Sequence, residues 1–349
     1  LYYNIKKTGK IMKTEIKEAS KYGKEILFEI DKETVEKEKQ VVIKGFLDTA
    51  KVPGFRPGKI PESVIQIKYS EEIKKQIIEN LIRHSYLDFI KQSNIESIID
   101  PEISDVKLDT VLNFKVYIET KPDTIVKKYK EIVVKKTEPE PFGNEDVEKV
   151  MTQYEKNKEF AISVIDPEKR KAWKEKIANQ FTEYNKQKAL QVEEEQIWKE
   201  IFQNSEVEIP ERFLFNKTRK IAEDLLKSMD LTNKTKEEID KIVDDTLKKA
   251  KPYTEDQLKK YFILEKIVEM ENIDVSPGEI EESLQKVSLD LGDSASNIKK
   301  RLEETGRLDD WKEDLKIEKA FQFIKNNSKW IEKIILPGEK NEKKEKPIE

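Results

Sequence analysis

The sequence contains no cysteine and only one histidine, His84. Without thiols the chain cannot carry disulfides, thiolate zinc sites, iron–sulfur clusters or a cysteine nucleophile. A histidine-based triad or metal site could be built only around His84, and no nucleophile motif lies near it. The sequence also lacks phosphate-binding, dinucleotide-binding and EF-hand loops. We therefore expect His84 to be a surface or interface residue, and we expect no catalytic residue, metal or cofactor.

Long apolar runs are missing as well. No segment approaches the roughly 18 apolar residues of a membrane-spanning helix. The opening segment lacks the apolar core and the cleavage site of a signal peptide. We therefore expect a cytoplasmic protein without a membrane segment. Met12 opens a segment typical of a natural N-terminus, so residues 1–12 are interpreted as an extension outside the first domain.

Charge is abundant and nearly balanced. Charged residues make up 40% of the 349 residues, and 67 basic against 71 acidic side chains leave a net charge of −4. This balance excludes general electrostatic binding of nucleic acid, so any RNA contact must come from a local patch. The length indicates two or three domains. The 36% hydrophobic content favours long helices and small separate cores.

The first part of the chain predicts an α+β domain over residues 13–136. A strand is expected at 25–30, and apolar spacing predicts a helix that starts near Asp31 and ends near Ala50. A second helix carries an apolar stripe over 73–90. Further strands are expected at 102–106, 111–118 and 132–134.

Between the two helices lies a segment that cannot be helical, because residues 51–61 hold three prolines and two glycines. Prolines restrict its conformations, and glycines permit turns with positive φ. Phe55, Arg56 and Lys59 stand on this turn, and Lys44 and Lys51 make its surroundings basic. Such a tip suits docking on an RNA backbone and a protein groove together. The residues alone leave a second reading open, a plain helix–helix turn with Phe55 packed inward.

The sequence after residue 136 predicts a mainly helical second part of the chain. Residues 137–167 are interpreted as a linker with a polar helical stretch at 146–160 and a strand-like piece at 161–165, and residues 168–335 as a helical domain. Helices are expected from Glu168 to about Trp330. One helix is expected to start at Pro210, with an apolar face formed by Leu214, Thr218, Ile221, Leu225 and Met229. Pro252 is expected to end another helix, Ser276-Pro277-Gly278-Glu279 is a strong helix start, and Gly306 is expected to close a later helix. Residues 336–349 are expected to be a disordered tail.

The motif Gly54-Phe55-Arg56-x-Gly58-x-x-Pro61 resembles the signature loop of trigger factor, a family of bacterial ribosome-associated chaperones. The order of elements over 13–136 is similar to that family's N-terminal domain. Four segments of the helical part are similar to its C-terminal domain, namely 207–210, 263–267, 273–276 and 317–324.

The resemblance implies an α+β ribosome-binding domain followed by an extended all-α domain with helical arms. It implies that Phe55 and Arg56 contact a large-subunit protein and rRNA at the tunnel exit, while Gly54, Gly58 and Pro61 shape the loop. Pro57 stands where the family often has lysine, a charge that Lys59 partly restores. The helical domain would hold unfolded or nascent chains in a cradle without ATP, and whether it forms a homodimer is left open.

One departure from the family concerns its FKBP-type prolyl-isomerase domain. Residues 162–165 resemble the entry into that domain, yet the sequence from Glu168 onward already resembles the C-terminal domain, and only 10 glycines are present. The resemblance therefore implies that the isomerase domain is absent and that the protein is not an enzyme. Two alternatives stay open, a residual prolyl isomerase and a ribosome-independent holdase or assembly module that uses the helical domain.

Overall fold

The computed structural model describes residues 2–7, 10–55, 59–140, 143–156, 166–232 and 234–332. Its strands are β1 (Tyr2–Lys7), β2 (Lys10–Glu18), β3 (Gly23–Ile30), β4 (Glu102–Leu108), β5 (Leu112–Glu119), β6 (Thr124–Val126), β7 (Val133–Lys135), β8 (Ser205–Val207) and β9 (Lys329–Ile331). Its helices are α1 (Lys32–Thr49), α2 (Glu62–Lys68), α3 (Ser70–Ser93), α4 (Asn144–Tyr154), α5 (Pro167–Gln203), α6 (Glu211–Lys227), α7 (Lys236–Glu271), α8 (Pro277–Leu291), α9 (Ala295–Glu304) and α10 (Leu308–Asn326). An N-terminal α/β region is thus followed by a helix-rich region, as the sequence predicted.

The contacts divide the chain into two units, and neither is continuous in sequence. The first unit contains residues 1–123 and 208–259, and the second contains residues 124–207 and 260 onward. The expected domain limits at 12, 136 and 168 remain predictions. The contacts nevertheless group residues 2–7 and 10–12 with the first unit, where β1 pairs with β2, and residues 124–135 with the helical part. The reason is strand pairing, because β6 pairs with β8 and β7 pairs in parallel with β9.

The first unit is built on a five-stranded antiparallel sheet in the order β1-β2-β3-β5-β4. Alternating apolar residues of β3 and β5 are buried on one face, because a strand directs successive side chains to opposite faces. Phe28 and Phe114 are paired across these strands, with rings stacked 4.6 Å apart, and Phe89 of α3 meets Phe28 edge-on at 5.6 Å. Residues of α1, α2 and α3 complete this core.

The start of α1 is fixed by a side-chain cap, as the sequence predicted. The Asp31 carboxylate accepts a hydrogen bond of 2.7 Å from the backbone N–H of Thr34, which satisfies one of the free donors of the first turn. The predicted starts near Pro210 and at Ser276, and the predicted end of α9 at Gly306 with φ +67°, are also confirmed.

Several local expectations were wrong. Pro252 does not end a helix, because α7 continues through it. Ala250 and Thr254 are buried on either side of Pro252, and the Thr254 hydroxyl donates to the Ala250 carbonyl at 2.8 Å, so packing holds the helix past the missing N–H. Trp330 lies in β9 rather than in the last helix, and its indole N–H donates to the Lys325 carbonyl at 3.0 Å.

The expected linker is partly structured. Within it, α4 packs Val147 and Met151 against Ile177 of α5 and forms a small core of its own. The strand-like piece expected at 161–165 and the tail expected at 336–349 lie outside the described residues.

The start of α8 yields a prediction about pH. Lys319 contacts the Glu279 carboxylate at 2.7 Å, and the N–H and hydroxyl of Ser276 each donate to it at 2.8 Å. These donors, first that of Lys319, lower the pKa of Glu279 to about 2. A carboxyl whose folded pKa lies below its unfolded value contributes stability above about pH 4.3, and this contribution is lost as the pH falls towards 2. We therefore expect an NMR titration of the Glu279 carboxyl to give a midpoint near 2.

The matched control for this titration is Lys319→Met, which should raise the pKa of Glu279 while the bonds from Ser276 remain. An ordinary midpoint above 4 in the unmodified chain would contradict the prediction.

Candidate functional site

The loop between α1 and α2 begins with a tight turn. Its four residues are Val52, Pro53, Gly54 and Phe55, and the Phe55 N–H donates to the Val52 carbonyl at 3.1 Å. Gly54 has φ +86°. Proline at the second position and a left-handed glycine at the third define a type II turn. A Cβ on Gly54 would meet no atom within 4 Å, so the backbone conformation rather than space requires glycine.

Both ends of this loop are tied to the domain. Before the turn, the Tyr69 hydroxyl donates to the Lys51 carbonyl at 3.1 Å, and the Tyr69 ring contacts that of Phe46 at 5.5 Å. After the turn, Ile60 is buried in the same core as Phe28. The turn is therefore held between two fixed points, and its tip is the part that meets solvent.

Four of the seven predicted site residues can be placed. Phe55 is 42% exposed at the tip, so the inward-packed alternative is wrong. Gly54 and Lys59 are exposed on either side of it, and Pro61 precedes the first residue of α2. The remaining three, Arg56, Pro57 and Gly58, lie outside the described residues.

The surroundings of the loop are basic, as predicted. Lys44, Lys51 and Lys59 are exposed, with Asp48 as the acidic neighbour on the last turn of α1. Lysine is a flexible point charge, which suits contact with phosphates or carboxylates without a fixed geometry. The described part of the loop thus combines an exposed aromatic ring with positive charge.

Two exposed apolar residues on the helices that flank the loop were not singled out in the sequence. Ile67 of α2 is 80% exposed, and Val41 of α1 is also exposed. The exposure of Ile67 could have been predicted from the sequence. Ile67 follows Ile65 by two positions, and two such residues point to opposite sides of a helix, so only one of them can be buried in the same core. Val41 carries no comparable signal, since Val42 beside it is buried.

In the first unit, α6 presents apolar side chains to solvent. Leu214, Thr218 and Ala222 are buried on one face of this helix. Phe215 lies at the edge of that face, Leu225 continues it, and Met229 follows the end of the helix, and all three are exposed. The sequence predicted one apolar face here, but it could not show that only part of the face is covered.

Other exposed apolar residues lie singly along the helices. They include Tyr253 on α7, Tyr184 and Leu190 on α5, and Leu289 and Leu291 on α8. Ion pairs between charged residues one turn apart stand among them, such as Arg219–Glu223 on α6 and Lys286–Glu282 on α8. Exposed apolar groups that are separated by charge can contact other chains without favouring self-association.

His84 is exposed on α3, as expected. Over the described ranges, no group of three or more His, Cys, Asp or Glu residues is arranged to hold a metal ion. None of the helices described has the length and apolar character that crossing a membrane would require.

Comparison with known families gives two matches. A family model described as bacterial trigger factor protein matches residues 12–154, and a second, described as the C-terminus of the same protein, matches residues 169–326.

Individual relatives carry the same name. The trigger factor of Syntrophotalea carbinolica is 30% identical over 138 residues, which cover 39% of this chain and 31% of the relative. The trigger factor of Solibacter usitatus is 33% identical over 135 residues, or 38% of this chain and 32% of the relative. These matches thus span about a third of the relatives' length. The trigger factor of Caldicellulosiruptor saccharolyticus is 23% identical over 429 residues, covering 91% of this chain and 97% of the relative.

A solved structure is similar in fold. It comes from work on promiscuous substrate recognition in the folding and assembly activities of the trigger factor chaperone. The TM-score is 0.52 at 14% identity, with 89% of this chain and 98% of that chain covered.

The exposure of the loop tip leads to a prediction about stability. We expect Phe55→Ala to change the free energy of unfolding by less than about 0.5 kcal/mol, because an exposed side chain contributes little. The matched control Ile60→Ala removes a buried side chain from the same loop and should cost about 2–5 kcal/mol. Urea denaturation followed by the amide signals of β3 and β5 measures both. Equal losses in the two variants would mean that the Phe55 ring supports the fold.

Proposed function

The chain belongs to the trigger factor family, and from this premise we propose that it is an ATP-independent chaperone that docks on the ribosome through the loop at Phe55. In this proposal the helical part holds unfolded or nascent polypeptides, and the chain acts in the cytoplasm, where such polypeptides emerge. The single observation that carries the proposal is the exposed Phe55 ring at the tip of a loop that matches the family's signature.

The form of the loop supports docking. A type II turn that is tied at Lys51 and at Ile60 loses little conformational freedom on binding, so less of the contact energy is spent on ordering. An aromatic side chain at the centre of an interface often carries much of the binding energy. The exposed lysines beside Phe55 would attract the negative backbone of rRNA, while the ring enters an apolar groove of a ribosomal protein. Arg56 is assigned to the same contact from the signature motif alone.

The exposed side chains of α6 support client binding. Phe215, Leu225 and Met229 offer apolar contact at several points along one segment of the first unit. Arg219 pairs with Glu223 at 3.4 Å and Lys227 with Asp224 at 2.8 Å on the same helix, so the apolar groups remain separated by charge. Scattered apolar contacts favour weak binding of many unrelated sequences, because a disordered client must be ordered wherever it binds.

We propose that prolyl-isomerase activity is absent. The two family matches leave only residues 155–168 between them. The alignment with the C. saccharolyticus relative runs over 429 positions, more than the 349 residues of this chain, so that relative has segments without a counterpart here. An isomerase domain of ordinary domain size does not fit within 155–168.

The ribosome-independent alternative differs in one respect. It also uses the helical part to bind unfolded or assembling proteins, but it assigns no role to the loop. Phe55 would then be an exposed ring without a partner. A homodimer is compatible with either function and stays a prediction.

Ribosome binding by the loop is tested with the double variant Phe55→Ala, Arg56→Ala. Loss of a central aromatic and an arginine costs about 2 kcal/mol or more, so we expect binding at least ~30-fold weaker in co-sedimentation with purified ribosomes. The control Leu87→Ala removes an exposed apolar side chain from α3 of the same unit and should sediment as the unmodified chain does. Equal sedimentation of the double variant and the unmodified chain would favour the ribosome-independent alternative.

Client binding by α6 is tested with the triple variant Phe215→Ser, Leu225→Ser, Met229→Ser. Each side chain contributes about 1.5–3 kcal/mol when fully buried, so even partial contact with a client should make binding at least ~10-fold weaker. Suppression of the aggregation of a denatured enzyme, without ribosomes, measures this loss.

The matched control for that assay replaces three exposed apolar residues elsewhere in the first unit, namely Val41, Leu87 and Ile103, with serine. If both triple variants suppress aggregation equally well, α6 is not the client surface. Catalysed exchange of an X-Pro peptide by the unmodified chain would contradict the absence of isomerase activity.

A further inference from the structure

The last residue of β5 is a buried glutamate, Glu119, which is 1% exposed. One of its carboxylate oxygens accepts a hydrogen bond of 3.0 Å from the backbone N–H of Arg212, and the other accepts one of 2.8 Å from the backbone N–H of Phe213. The Tyr117 hydroxyl donates to the first oxygen at 3.0 Å. A carboxylate of the sheet is therefore bonded to the first turn of α6, more than 90 residues later in the sequence.

These bonds replace a cap that α6 lacks. The residue before the helix is Pro210, which has no side-chain acceptor, so the first-turn N–H groups need partners from elsewhere. A carboxylate is a strong acceptor at this position, because it also complements the positive end of the helix dipole. Burial shields these bonds from competition by water, so they should hold the helix more firmly than contacts at the surface.

Two ion pairs also connect the sheet region with α6 or the residues just before it, and both are weaker. The Arg212 guanidinium lies 3.5 Å from the Glu102 carboxylate, and Lys21 lies 3.0 Å from Glu208. These pairs are exposed, and exposed ion pairs contribute little because water and salt screen them. Of these three described contacts, the one made by Glu119 is buried.

We propose that Glu119 is a positioning residue, which fixes the direction of α6 on the α/β part of the first unit and so fixes where Phe215, Leu225 and Met229 are presented to a client. This inference rests on the proposed client-binding function. Without the carboxylate, α6 would stay helical but would sample several orientations. A client that contacts several of its side chains at once would then lose affinity, because the contacts would no longer be preorganised.

The test uses the full chain and its lack of cysteine. Spin labels on cysteines introduced at Lys17 of β2 and Lys220 of α6, both exposed, report the distance between the sheet and the helix. We expect one narrow distance distribution in the unmodified chain and in the control Glu102→Gln, which weakens only the exposed pair. We expect a broad distribution in Glu119→Ala and an intermediate one in Glu119→Gln, whose side chain keeps a single acceptor oxygen.

Two other measurements separate positioning from folding. Amide exchange at Arg212 and Phe213 should become about tenfold faster in Glu119→Ala, as expected for the loss of a helix cap. Exchange in β3 and β5 should stay slow, and co-sedimentation with ribosomes should be unchanged. Suppression of client aggregation should fall severalfold in Glu119→Ala and less in Glu119→Gln, which also serves as the test variant if the alanine variant does not fold.

Two results would overturn the inference. One is an unchanged distance distribution in both Glu119 variants. The other is a broadened distance distribution in the Glu119 variants together with full suppression of aggregation, since the orientation of α6 would then not affect client binding. Failure of the unmodified chain to suppress aggregation would instead count against the proposed function, and the label distances would still decide whether Glu119 orients α6.

Discussion

The packing of α1 and α3 on one face of the sheet is the interaction on which the loop between α1 and α2 depends. Phe28, Phe114 and Phe89 fill the centre of that core, and Ile60 and Ile65 extend it to the end of the loop. Because protein cores are densely packed, the buried Ile60 fixes the backbone directly before α2. The described ends of the loop are thus anchored by the core and by the Tyr69–Lys51 hydrogen bond, while Gly54, Phe55 and Lys59 stay exposed.

The same division between buried and exposed groups explains how a chain with 40% charged residues could bind apolar segments, as the proposed function requires. Over the described residues the buried apolar side chains form distinct clusters, and exposed apolar side chains on helices such as α6 and α8 share their helix with ion pairs. Only four methionines are present, so adaptable binding cannot rest on a methionine-rich surface. Binding of an apolar segment would then rest on several exposed side chains at separate points. The positions of these side chains depend on how the helices that carry them are oriented.

The sequence predicted correctly the features that depend on residues close together in the chain, such as helix starts and turns. Asp31 and Ser276 indicate helix starts, because their side chains can accept a hydrogen bond from the backbone N–H three residues later. Proline followed by glycine indicates the turn that ends at Phe55. The features that the sequence did not predict depend on contacts between residues far apart in the chain. The pairing of β7 with β9 joins residues nearly 200 positions apart, and packing around Pro252 overrides the usual effect of proline. Glu119 could not be singled out among 71 acidic residues, since only the fold brings it to α6.

The order of the segments along the chain determines when the contact between Glu119 and α6 can form during folding. Residues 208–259 return to the first unit, so this unit is incomplete until residue 259 has been synthesised. Long-range contacts of this kind form late, because the cost of closing the long loop precedes any gain from the contacts. Until α6 arrives, the Glu119 carboxylate has no backbone donors from Arg212 and Phe213, and a charged group is costly to bury without partners. The end of β5 must therefore remain open to water until α6 docks, so the α/β core can form first and the orientation of α6, the helix proposed to bind clients, is fixed last.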